Sequence, residues 1–120
     1  MDQERSVLVV DQSEETGEVL QTALSRRGVR TYTARHATEG AELGRRHCPD
    51  LVVLDLEIDG VDLEPSEGSF WANLRENNVP IILLGNCRRK GPQIPGSEFV
   101  AKPYHFGPLI RRIEEILESD

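Results

Sequence analysis

Two aspartates and a lysine stand where apolar runs stop. Val7-Leu8-Val9-Val10 runs into Asp11, Leu51-Val52-Val53-Leu54 into Asp55, and Phe99-Val100-Ala101 into Lys102-Pro103. Runs this short and this rich in Val and Leu read as strands buried on both faces of a parallel sheet. In such sheets the ligand site lies beyond the carboxyl ends of the strands. Two carboxylates and one ammonium are therefore expected on one rim. Carboxylate oxygens suit a hard metal ion, and an ammonium pairs with a carboxylate or a phosphoryl oxygen. The trio suggests a site for a metal ion and a phosphoryl group. Of the 14 basic residues only Lys90 and Lys102 are lysine, so a lysine here points to a need for a compact point charge.

The elements that must position this trio alternate. Strand one is Val7 to Val10. Ser13 is a candidate N-cap for a helix from Glu14 to Arg27, with Val19, Leu20, Ala23 and Leu24 on one face and Gly28 just past its end. Val29 to Ala34 is a weaker strand, expected near a sheet edge. A short helix spans Thr38 to Arg46, stopped by Pro49-Asp50, and strand three is Leu51 to Leu56. An acidic loop from Glu57 to Ser66 precedes a helix from Glu67 to Asn77, with Phe70, Trp71 and Leu74 facing inward. Strand four is Ile81 to Leu84 and strand five Phe99 to Ala101. Phe106, Leu109, Ile110, Ile113, Ile116 and Leu117 mark an amphipathic last helix, with Pro108 near its first turn. Alternation with buried strands implies an α/β three-layer sandwich. Between strands four and five, Gly85 to Glu98 carries Gly91, Pro92, Pro95 and Gly96, a density that disfavours a helix.

A length of 120 residues fits one domain with one core, taken as residues 1–120 with the core at about 6–117. No apolar stretch approaches the roughly 20 residues needed to span a bilayer. With its polar start the chain is expected in the cytoplasm, away from membranes. A net charge of −7 disfavours direct binding to nucleic acid. Cys48 and Cys87 read as reduced thiols, and His36, His47 and His105 as ordinary surface or boundary residues. Arg88-Arg89-Lys90 reads as a solvated loop. No Gly-rich phosphate loop follows strand one, which argues against a nucleotide or flavin binder and for no organic cofactor.

VLVVDQ (Val7 to Gln12), PDLVVLDLE (Pro49 to Glu57), VPIILL (Val79 to Leu84) and FVAKPY (Phe99 to Tyr104), in this order, resemble the receiver domain of two-component response regulators over about Ser6 to Leu117. The resemblance implies a flavodoxin-like, doubly wound five-stranded parallel sheet of order 2-1-3-4-5, here with the fourth helix short or missing. It implies that Asp55 accepts a phosphoryl group from the histidine of a sensor kinase or phosphotransfer protein. Asp11, Asp55 and the backbone carbonyl of Glu57 would hold Mg²⁺, and Lys102 would contact the phosphoryl group, across a cis bond to Pro103. The output would pass to a downstream effector, and the domain would be a switch and not a metabolic enzyme.

Departures from the family pattern leave a second reading open. The second acid after strand one is Gln12, a neutral oxygen donor at best, which weakens metal binding by about 1–3 kcal/mol. The phosphate-sensing Ser or Thr is replaced by Gly85; Asn86 could supply an amide instead. The switch aromatic is Phe99, without a hydroxyl. The alternative is a pseudo-receiver that keeps the fold and signals by protein contacts, without phosphorylation.

Overall fold

A computed structural model of the chain describes residues 4–58, 74, 77–86 and 97–118. Along these run β1 (Ser6–Val10), α1 (Glu14–Ser25), β2 (Arg30–Ala34), α2 (Ala37–His47), β3 (Leu51–Asp55), β4 (Ile81–Asn86), β5 (Ser97–Lys102) and α3 (Phe106–Glu118). The five strands form one parallel sheet of order β2-β1-β3-β4-β5, as the resemblance implies. Every residue of β1 and β3 is buried, because both strands are flanked on each side and covered on each face. β2 and β5 each keep two exposed residues, the mark of the two edges.

Side chains two apart along each strand share a face, so the sheet divides its apolar residues between two layers. Leu8, Val10, Val52, Leu54 and Leu83 pack with Ala37, Ala41 and Leu74 on one side. Val7, Val9, Val53, Ile82 and Leu84 pack with Leu20, Leu24, Leu109, Ile113 and Leu117 on the other. Full burial of Leu20 and Leu24 contributes about 1.5–3 kcal/mol each. Close approach is set by small residues. Ala37, Gly40, Ala41 and Gly44 form the buried stripe of α2. A Cβ added at Gly17 of α1 would come within 3.1 Å of Thr33 Cγ2 in β2.

Boundaries depart from the expected ones in instructive ways. The regular part of α1 ends at Ser25 rather than Arg27. Arg26 and Arg27 belong to a closing turn in which Val29 N–H reaches the Leu24 carbonyl at 3.0 Å and Gly28 N–H the Ser25 carbonyl at 3.1 Å. Gly28, at φ +78°, supplies the left-handed residue this ending requires. The buried face of α1 also runs through Thr16 and Gly17, while Val19 and Ala23 are only half-buried, because the helix leans on β2. The helix α2 is a residue longer at each end and closes on Cys48 at φ 47°. Leu56 falls outside β3. Gly85 and Asn86 extend β4, and Ser97, Glu98 and Lys102 extend β5, because the pairing continues from Ile81↔Ser97 to Asn86↔Lys102. Gly85, Asn86, Ser97 and Glu98, expected in a loop or irregular turn between strands four and five, are therefore strand; residues 87–96 lie outside the described ones, with Cys87 and Arg88-Arg89-Lys90. Leu74 is helical and buried, while Phe70 and Trp71 lie outside the described residues. Among the described residues no helix is long and apolar enough to cross a membrane.

Candidate functional site

The carboxyl ends of β1, β3, β4 and β5 meet at one rim, and the three charges meet there too. Asp55 is the last residue of β3 and Lys102 the last of β5; Asp11 directly follows β1. Asp11 and Asp55 are 5% and 3% exposed. Lys102 Nζ donates to Asp55 Oδ1 at 2.9 Å and to Glu57 Oε2 at 3.2 Å. Backbone amides fix both acids. Ser13 N–H donates to Asp11 Oδ1 at 2.8 Å, and Glu57 N–H to Asp55 Oδ1 at 3.0 Å. Ser13 thus stands at the N-cap position of α1 without a side-chain capping bond. The Lys102-Pro103 bond is cis, as the resemblance implies.

The electrostatics follow from one ammonium shared by the buried Asp55 and the half-exposed Glu57, with the buried Asp11 alongside. Burial holds the Asp11 carboxyl above the usual carboxylate range; the Ser13 amide opposes this and the neighbouring Asp55 adds to it. Burial alone would lower Lys102, but its bonds to Asp55 and Glu57 outweigh that and hold the ammonium above its usual range. Burial likewise pushes the Tyr104 phenol up. Tyr104 Oη lies 3.5 Å from Thr16 Oγ1, beside the site. An open hollow of about 480 Å³ lies over the rim, lined by Asp11, Thr16, Glu57, Asn86, Lys102 and Tyr104 among others.

This donor set fits a small, hard divalent cation. Three carboxyl groups, Asp11, Asp55 and Glu57, face the single Lys102 ammonium, and Asp11 and Asp55 are each fixed by a backbone amide. Among the described residues no group of three or more His, Cys, Asp and Glu side chains gathers around one point. Mg²⁺ does not need one, since it commonly takes one or two carboxylates and keeps several waters.

Other expected positions fall as follows. Asn86 pairs with Lys102 in the sheet and lines the hollow. Gln12 is exposed, and its carbonyl accepts a bond from Arg35 Nε at 3.2 Å. Arg35 also reaches Glu14 Oε1 at 3.5 Å, so the residue after β2 ties down both the loop after β1 and the start of α1. Gly85 is buried under a neighbour's ring: a Cβ there would stand 3.2 Å from Phe99 Cε2 and 3.3 Å from Leu56 Cδ1. Phe99 is 40% exposed and is the one large hydrophobic so exposed among the described residues.

Three contacts were not foreseen from the sequence: the Glu57 carboxylate on Lys102, the Arg35 clamp and the Phe99 ring over Gly85. Glu57 carries a visible signal, an acid two residues past Asp55. The other two depend on side-chain directions that no spacing records.

No protein-family model matches the chain. The "Probable transcriptional regulator ycf27" of Porphyra purpurea is 32% identical over 120 residues, covering 96% of this chain and 48% of that protein. The chain spans about half the length of the curated relatives it matches. The solved structure of a response regulator receiver modulated diguanylate cyclase from Pelobacter carbinolicus superposes with a TM-score of 0.71 at 28% identity, covering 96% of this chain and 93% of that one. The response regulator receiver protein from Sinorhizobium medicae WSM419 gives a TM-score of 0.74 at 20% identity, covering 98% and 97%.

Proposed function

This chain belongs with the receiver domains of two-component response regulators, and from that premise we propose that it accepts a phosphoryl group on Asp55. The donor is the phosphohistidine of a sensor kinase or phosphotransfer protein. An Asp55 carboxylate oxygen attacks phosphorus, the P–N bond breaks, the imidazole leaves and takes up a proton, and an acyl phosphate forms. Phosphoryl transfer needs positioning and neutralisation of oxygen charge more than covalent help. Lys102 supplies a cation at Asp55, and amide bonds from Ser13 and Glu57 hold the two acids still. Asp11, Asp55 and the Glu57 carbonyl would hold Mg²⁺, with Gln12 as a further oxygen donor and Asn86 placed to contact the phosphoryl group. Bound Mg²⁺ would neutralise phosphoryl oxygen charge. The domain then acts as a switch rather than a metabolic enzyme, its core running over about 6–117 and its signal passing to an effector protein. Because such phosphoryl groups originate from ATP, its place of work is the cytoplasm.

The single observation that carries this reading is Lys102 Nζ at 2.9 Å from the buried Asp55, with Asp11 alongside. Incubation with Mg²⁺ and acetyl phosphate is expected to add the mass of one phosphoryl group, and Asp55→Asn to abolish the gain. No gain at millimolar Mg²⁺ would favour the second reading, a pseudo-receiver working by protein contacts. That reading is supported by the Phe99 ring packed on Gly85, where a phosphate-sensing hydroxyl would otherwise sit.

A further inference from the structure

Glu57 enters the proposed site twice. Its backbone supports Asp55, and its side chain does something different: Oε2 accepts a bond from Lys102 Nζ at 3.2 Å. An ammonium has three N–H donors. Asp55 and Glu57 occupy two of them. A phosphoryl group on Asp55 adds negative charge and three acceptor oxygens within reach of the same ammonium. The Glu57 carboxylate then stands close to that charge with its own cation drawn elsewhere. Because the Glu57 side chain is 49% exposed, it can swing to solvent when displaced. Its bond to Lys102 is thus replaceable, and its charge acts against the incoming group.

We propose that the Glu57 carboxylate is an internal competitor of the phosphoryl group for Lys102, holding the lysine in the unphosphorylated state and raising the threshold for loading Asp55. This rests on the receiver reading above. The competitor is not a catalytic residue: it acts by engaging Lys102 and by its charge. Glu57→Gln keeps the size and the backbone bonds while removing the charge.

The test is a titration of the intact chain with beryllofluoride at fixed millimolar Mg²⁺, followed by ¹⁹F NMR of the bound anion. Glu57→Gln is expected to bind beryllofluoride about tenfold tighter than wild type, equivalent to about 1.4 kcal/mol. The gap is expected to narrow at 1 M salt, where the screening length falls to about 3 Å. Glu57→Ala, which also lacks the charge, is expected to follow Glu57→Gln. If wild type binds and both variants bind equally or more weakly, the competitor is overturned while the receiver reading stands. If wild type is silent and the variants bind, competition holds in its strongest form. If none binds, the phosphoryl reading falls and the competitor with it.

Discussion

Asp11 is buried beside Asp55. The folded protein holds the Asp11 proton to a higher pH than the unfolded chain does. Between those two values the folded state binds more protons, so stability falls as pH rises through that window. Above it the buried, ionised Asp11 is a standing cost. Asn at position 11 keeps an oxygen for the Ser13 amide and carries no charge. Asp11→Asn is therefore expected to raise the metal-free Tm by a few degrees at pH 7. The gain should shrink as pH is lowered through the Asp11 titration, and a thermal scan at several pH values checks it. A Tm below that of wild type at pH 7 would show that the buried charge on Asp11 is no cost to the fold. At this scale the sequence was informative about which residues matter, because an acid after a Val-rich run has one natural place in a parallel sheet. It was silent on where side chains turn. Nothing in the spacing indicates that the Gln12 carbonyl is held by Arg35, or that the Phe99 ring covers Gly85.

At the scale of elements, β4 and β5 settle how the site meets the surface. Their pairing continues to Asn86↔Lys102, and Phe99 lies diagonally across from Gly85. Diagonal neighbours are within reach of an aromatic side chain. Gly85→Ala puts a Cβ at 3.2 Å from that ring, so the ring must shift. We expect the substitution to cost about 1–3 kcal/mol, as overpacking does. In a Phe99→Leu background most of that cost should vanish, giving a coupling of about 0.5–3 kcal/mol in a double-mutant cycle. Denaturant titration of the four proteins measures it, and additivity would show that the ring is free to move. The ends of β4 and β5 were the hardest part to place from sequence. Gly85, Asn86, Ser97 and Glu98 carry none of the β-branched or aromatic side chains that signal a strand, and neighbouring Pro and Gly suggested a loop. Pairing between strands overrode local preference. The same override explains α1, whose arginines favour helix but whose ending is fixed by Gly28.

Across the whole molecule, the buried strands β1 and β3 rigidly position the rim. The acids sit on backbone that cannot move without opening both apolar layers. A cation bound there should therefore stabilise the fold as a unit. At ten times the dissociation constant, Mg²⁺ is expected to add about 1.4 kcal/mol by linkage. The rise in Tm should disappear in Asp55→Asn and be reduced in Asp11→Asn. An equal rise in all three proteins would place the cation elsewhere on this acidic chain. The layers were legible because short, doubly buried apolar runs alternating with helices leave few architectures, and the strand order came with the resemblance to receiver domains. The ring that lies on Gly85 has a longer reach in time than in space. It makes positions 85 and 99 an epistatic pair: a hydroxyl cannot return to 85 at low cost while the aromatic stays. Lineages descending from this chain are expected to lose the ring first and to refill position 85 only afterwards.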